Sequence, residues 1–218
     1  MNQRTSKENQ LREEICRTGA SLYQRGYTVG SAGNISARLP DGEGWLITPT
    51  DACLGYLDPA SIAKVDASGN WVSGDKPSKT LALHRMVYDN NPEMHGVVHT
   101  HSTYLVNLSI KGVWSQDDVL PPITPYYVMK VGHIPLISYR RPGDPLVAEQ
   151  VRQLANKVRG VLLERLGPVV WESSVSKAAY ALEELEETAK LWHLAGGNVA
   201  PLNDAALQEL REVFNARW

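Results

Sequence analysis

Apolar positions recur along this chain with two periods, and each change of period marks an element. Leu11, Ile15, Gly19 and Leu22 fall on one face at helical spacing, which predicts a first helix running to about Arg25 and Gly26. Thr5 and Glu8 stand ahead of that face with the spacing of a capping box. Gly30 to Asn34 is too rich in turn formers for a helix. Ile35 to Arg38 and Trp45 to Thr48 read as strands joined by a turn at Pro40, Asp41 and Gly42. A second short strand pair is expected around Ala63 to Val72, turning at Ser68, Gly69 and Asn70.

Ser78 is placed to cap a second helix that stops before Asn91 and Pro92. Gly96 to His101 reads as a strand, with Ser102 capping a third helix. The proline-rich stretch from Pro121 to Pro142 reads as loops with one strand near Ile134 to Ile137. Asp144 followed by Pro145 is a helix start, and Val147, Val151, Leu154 and Val158 make its buried face. Gly160 to Leu166 reads as a strand. Ser174 or Ser176 opens a long helix carrying Ala178, Leu182, Leu185, Ala189 and Trp192 on one face, closed by Gly196 and Gly197. Asn203 caps a last short helix with Leu207, Leu210 and Phe214. Strands in the middle with helices at both ends predict an α/β fold, a central mixed sheet flanked by helices. The connectivity stays open at this level.

Composition narrows the class. A chain of 218 residues, 43% hydrophobic, can bury one large core, so residues 1–218 are expected to form a single domain. A formal net charge of −2 argues against nucleic acid and anionic membrane as partners. No apolar run reaches the length of a bilayer span, and Met1 to Asn9 is polar with no apolar signal segment. The expected location is therefore the cytoplasm. Cys16 and Cys53 then read as reduced, small core residues.

His99 and His101 carry the clearest chemistry. Two apart on an expected strand, they send both imidazoles to one face, where a pair of ring nitrogens can hold a divalent metal. The same spacing also suits two polar residues on a solvated strand face. His84 reads as a surface or core histidine, and His95, His133 and His193 lack ligand spacing. Gly30 to Asn34 can cradle an anion through close backbone approach, or form an ordinary tight turn. Ser78 with Lys79 puts a hydroxyl and a cation near a helix N-terminus, which suits a phosphate or is a plain cap. Glu183, Glu184, Glu186 and Glu187 read as a solvated helix face, with Glu186 paired to Lys190 four residues on.

Four segments in order resemble the class II aldolase/adducin family. They are Ser31-Ala32-Gly33-Asn34-Ile35-Ser36, Ile47-Thr48-Pro49-Thr50, Lys76-Pro77-Ser78-Lys79 and Val98-His99-Thr100-His101-Ser102. Three later segments are similar to the branch that decarboxylates 3-oxo-tetronate 4-phosphates. They run from Thr124 to Gly132, from Tyr139 to Asp144 and from Glu183 to Lys190. The resemblance implies a metal-dependent lyase that turns a sugar-acid phosphate into dihydroxyacetone phosphate and carbon dioxide. It implies a three-layer fold with a mainly antiparallel sheet, and a homotetramer, in which Val128, Met129, Trp114 and Trp218 would find partners. It further implies zinc held by three histidines, two of them His99 and His101. The small anionic sugar-acid substrate would be held by Gly33, Asn34, Thr50 and Ser78, with Lys79 beside them.

Three positions depart from the family pattern. Leu166 stands where the third histidine is expected, Thr80 where the acid/base glutamate is, and Asp51 where a glycine approaches the phosphate. The expectation is an altered site whose metal is weakly held or lost. Glu164, two before Leu166 on the same strand, could lend a carboxylate. Two alternatives stay open: an inactive paralogue serving as a binding or structural subunit, and an enzyme acting on a non-phosphorylated substrate, for which Asp51 is the hint.

Overall fold

The computed structural model describes residues 3–218, and of residues 3–6 and 41 it describes the backbone only. The elements in chain order are α1 (Gln3–Gln24), β1 (Asn34–Arg38), β2 (Trp45–Ile47), β3 (Ala63–Val65), β4 (Trp71–Ser73), α2 (Leu81–Asn90), β5 (Gly96–His99), α3 (Thr103–Lys111), β6 (Leu136–Ile137), α4 (Pro145–Leu154), β7 (Gly160–Leu163), β8 (Gly167–Glu172), α5 (Val175–Leu194) and α6 (Asp204–Phe214). The strands form one sheet in the order β4-β3-β2-β1-β5-β8-β7-β6. Every pairing is antiparallel except that of β6 with β7.

Strand alternation divides the core into two. Ile35, Val98, Leu162 and Val170 face one way and pack with Ile15 of α1, Leu105 of α3 and Leu182 of α5. Ile47, Val97, Val161 and Trp171 face the other way, against Val87 of α2 and Val151 of α4. The result is the expected sheet between two helical layers. Among the described residues no helix is long and apolar enough to cross a membrane.

One end of the sheet collects the chemistry. Because the strands alternate in direction, that rim holds the end of β2, the start of β1, the end of β5, the start of β8 and the ends of β7 and β6. Thr50, Asn34, His99, Leu166 and Arg140 follow one another along it in that order.

Several local expectations change. The capping box at Thr5 involves a side chain outside the described residues, and α1 already begins at Gln3. Ser78 lies two residues before the cap position of α2, which is Thr80, and accepts the Thr80 N–H instead. Ser102 sits at the cap of α3 without a capping bond. Oε1 and Oε2 of Glu186 take that role, accepting the N–H of Tyr104 at 2.8 Å and of Leu105 at 3.0 Å. Glu186 is therefore buried rather than solvated, and Lys190 pairs with Glu187 at 3.6 Å. Gly160 to Leu166 is only half strand. Residues 164–166 turn into β8, so Glu164 and Leu166 share no strand face. The proline-rich stretch also holds a helical turn, Tyr127–Val131. There Val128 is buried against Leu207 and Leu210, with Met129 and Trp218 packed alongside, so these three find apolar partners within the chain. Trp114 stays 51% exposed.

Candidate active site

Asn34 and His99 face each other across β1 and β5 on the α2 side of the sheet. Antiparallel register thus puts the end of the glycine loop directly beside the first histidine. The loop closes tightly on β5: a Cβ on Gly33 would come within 2.6 Å of the His99 carbonyl oxygen, and its φ is +84°. Glycine is required there by the neighbouring strand, whatever the loop binds.

His99 is buried. Its Nδ1 lies 2.8 Å from the Pro168 carbonyl, which fixes Nδ1–H as donor and leaves Nε2 with its lone pair. The His101 ring centroid lies 5.0 Å from that of His99. Burial, then the His101 charge, pushes the His99 imidazole down to about 4, and burial lowers His101 as well. Both rings are therefore neutral at neutral pH.

His84 was not singled out by its spacing, yet it organises the wall of the site. Its Nδ1 is 2.7 Å from Oγ of Ser36 and its Nε2 is 2.6 Å from Oδ1 of Asn34. The Tyr88 hydroxyl is 2.7 Å from the same Ser36 Oγ. With a carbonyl oxygen at Nε2, the ring carries its proton there, and Ser36 donates to Nδ1. Burial, then the His99 charge, drives this imidazole down to about 3, so it is neutral at neutral pH. The amide NH₂ of Asn34 has no hydrogen-bond partner among the described residues. Period-two alternation from the core residues of β1 would have shown Asn34 and Ser36 facing a helix. The helical position of His84 opposite them could not be read without the fold.

These groups open onto a cavity of about 360 Å³. Its lining includes Gly33, Asn34, Thr50, Asp51, Ser78, Lys79, Thr80, His99 and His101, while Gly30, at the start of the candidate anion loop, lies outside it. Leu166 and Glu164 line it too, as do Arg140 and Arg141 from the loop after β6. The first turn of α2 forms one wall, so the positive end of that helix faces the cavity. Ser78 Oγ lies 3.0 Å from Thr80 Oγ1. The N–H groups of Thr50 and Ser78 are already used, on the carbonyls of Lys76 and Thr48. Their contribution to a ligand is therefore hydroxyl. Asp51 is held at φ +56°, a region that favours glycine, and its carboxylate lies 3.5 Å from Nζ of Lys79. The charge expected to repel an anion is thus shared with the nearest cation.

The donor set for a metal is incomplete. His99 and His101 offer two imidazoles, Leu166 offers none, and Glu164 is engaged at 2.7 Å with the Tyr139 N–H. Among the described residues no group of three His, Cys, Asp or Glu is gathered for an ion. A catalytic zinc site usually takes three protein ligands, so these residues do not fit one.

Comparison with known proteins gives the family and the fold. The family described as Class II Aldolase and Adducin N-terminal domain matches residues 13–193. The chain belongs to the class II aldolase/adducin family. It is 73% identical over 218 residues to a protein of Cupriavidus necator named 3-oxo-tetronate 4-phosphate decarboxylase, covering 98% of this chain and all of that one. An Escherichia coli K12 protein of the same name is 47% identical over 205 residues, covering 94% and 96% of the two chains. The crystal structure of YgbL from Escherichia coli superposes with a TM-score of 0.89 at 47% identity, over 94% of this chain and 99% of that one. The class II aldolase fold expected from the sequence is the fold observed.

Proposed function

We propose that this chain is a carbon–carbon lyase that decarboxylates a 3-oxo-tetronate 4-phosphate to dihydroxyacetone phosphate. The observation carrying this reading is the convergence of the glycine loop, Ser78, Thr50 and the histidine pair on one cavity, in a chain 73% identical to a protein named for that activity. The phosphate lies against the Asn34 amide and the Thr50 and Ser78 hydroxyls, at the N-terminus of α2. The bond between the carboxylate carbon and its neighbour breaks. Carbon dioxide leaves, and the electron pair moves onto the former ketone oxygen. A neutral His101 ring can donate one N–H to that oxygen, which stabilises the developing charge. A proton then returns to carbon to complete the product. The family resemblance implies a divalent cation as a Lewis acid, but with His99 and His101 as the only paired donors among the described residues no step of this reading runs through one.

Thr80 has only a hydroxyl, bonded to Ser78, so no side chain at that position acts as a general acid. Loss of such a group typically costs 10²–10⁴-fold, and a slow enzyme is expected. One observation favours a second reading, a binding subunit without turnover: Leu166 and Thr80 both lack the expected groups. A homotetramer and a cytoplasmic setting belong to the same proposal and rest on the family. The deciding experiment incubates the purified protein, made without a metal-affinity tag, with 3-oxo-tetronate 4-phosphate and measures dihydroxyacetone phosphate by a coupled reductase. Production above the spontaneous rate, abolished in Ser78→Ala with Asn34→Ala, supports the lyase. A rate equal to the uncatalysed one supports the binding subunit.

A further inference from the structure

The rim of the sheet has a polarity that the proposed reaction leaves unused. The neutral anion cradle of Asn34, Thr50 and Ser78 lies at the β1 and β2 end. The histidines stand at β5 in the middle. Arg140 and Arg141 stand beyond β7, on the loop that leaves β6. Both arginines line the cavity, both are exposed, and neither side chain makes an ion pair or hydrogen bond among the described residues.

Their loop is anchored at both ends. The Tyr139 N–H donates to Glu164 at 2.7 Å, and Asp144 caps α4 by accepting the Leu146 N–H at 3.0 Å. Between these ties the Asp144 N–H reaches back to the Arg141 carbonyl at 3.1 Å. The two carboxylates lining this end of the cavity, Glu164 and Asp144, accept backbone N–H bonds, and Glu164 also lies 4.0 Å from Nε of Arg165. Asp51, the other carboxylate on the cavity wall, lies at the opposite end with Lys79. Two guanidinium groups are therefore held at the mouth with unused donors. Strand spacing of about 4.8 Å puts β6 roughly 14 Å from β5, and an arginine side chain spans about half of that.

We infer that Arg140 and Arg141 bind the second acidic end of the substrate, its carboxylate, while the phosphate lies at the other end of the rim. This rests on the proposed lyase reading and deepens it: the cavity selects molecules with an anion at both ends. A planar guanidinium pairs with a carboxylate through two parallel N–H bonds, which sets orientation as well as affinity. Because that carboxylate departs as carbon dioxide, the pair holds the ground state more than the transition state.

The test is calorimetric and requires no turnover. Dihydroxyacetone phosphate and a 4-phosphorylated tetronic acid are titrated into wild type, Arg140→Gln with Arg141→Gln, and Arg140→Lys with Arg141→Lys. Wild type is expected to bind the phospho acid more tightly. The glutamine pair should weaken the phospho acid roughly 10- to 100-fold and leave dihydroxyacetone phosphate unchanged. The lysine pair should recover part of the loss. In any measurable decarboxylation the glutamine pair should raise KM and leave kcat unchanged or higher. A wild type without preference, or a glutamine pair that weakens both ligands alike, overturns the inference. A chain that prefers the phospho acid but never decarboxylates it keeps this inference and refutes the proposed activity.

Discussion

Nε2 of His84 lies 2.6 Å from Oδ1 of Asn34, across 50 residues of chain, and that bond decides which way the Asn34 amide faces. The other ring nitrogen is tied to Ser36, and Ser36 to Tyr88. A chain of buried groups thus holds one NH₂ group ready at the cavity wall. His84→Phe keeps most of the volume and removes both bonds. It should cost about 1–3 kcal/mol of stability, because Ser36 and Asn34 lose buried partners. It should also weaken dihydroxyacetone phosphate by roughly tenfold as the amide becomes free to rotate. Urea denaturation and calorimetry read the two effects. Unchanged affinity in a folded variant would remove His84 from the positioning role.

Glu186 gives a pH prediction. Burial pushes its carboxyl up to about 7, against the opposing pull of the Tyr104 and Leu105 N–H groups. Between about pH 4.5 and 7 the folded chain then holds a proton that the unfolded chain has released. Stability from this group is greatest below that window and falls as pH rises through it. Relative to Glu186→Gln, which cannot ionise, wild type should lose stability from pH 5 to 7 and change no further above that. Chemical denaturation at five pH values measures the difference. The opposite slope would mean that the helix terminus outweighs burial.

Asp51 sits at φ +56° and shares its charge with an exposed Lys79. Asp51→Gly relieves the backbone and gives up a surface ion pair worth little. Stability should change by less than about 1 kcal/mol. Phosphate affinity should rise, since Lys79 is released and a like charge removed. An unaltered dissociation constant for dihydroxyacetone phosphate would show that Asp51 lies too far from the ligand to matter.

The sequence made the layers legible wherever one residue's environment was set by its neighbours in the chain. Leu11 to Leu22, Ala178 to Ala189 and the Asp144-Pro145 start all became helices because periodicity and capping are local. Strand β8 was missed. Pro168 lies at its second position, and proline normally argues against a central strand. The strand is nevertheless inserted between β5 and β7, where Pro168 has only its carbonyl to give, and it gives it to Thr100 and His99. Glu186 was misread for the same kind of reason. Nothing in an acidic run tells which carboxylate points at another helix 82 residues away. The site residues on the rim were legible as a set because their motifs follow one another in the chain. His84 and the arginine loop required the strand order to be placed among them.

The most demanding prediction concerns Leu166. It lies in the turn between β7 and β8, packs against the apolar layer of α2 and α4, and lines the cavity with His99 and His101. The turn is held close to the histidine strand: a Cβ on Gly167 would come within 2.2 Å of the Thr100 carbonyl oxygen. The backbone around Leu166 is therefore fixed relative to His101, and a side chain exchanged there will stay near the pair. Leu166→His supplies a third imidazole of similar volume at the cost of a buried polar ring that must find a partner. Without added metal that variant should lose about 1–3 kcal/mol of stability. Zinc should restore it, because a ligand that binds only the folded chain stabilises it. Wild type should show little shift at the same zinc concentration. Adding Thr80→Glu places a carboxylate at the start of α2 and should raise decarboxylation by roughly 10²–10⁴-fold over Leu166→His alone. Thermal melts with and without zinc, competition with a chromophoric chelator, and steady-state kinetics of the single and double variants together decide it. A wild type that already binds zinc tightly and turns over as fast as the double variant would show that Leu166 and Thr80 are not what this site lacks, and that another group provides the third ligand and the proton.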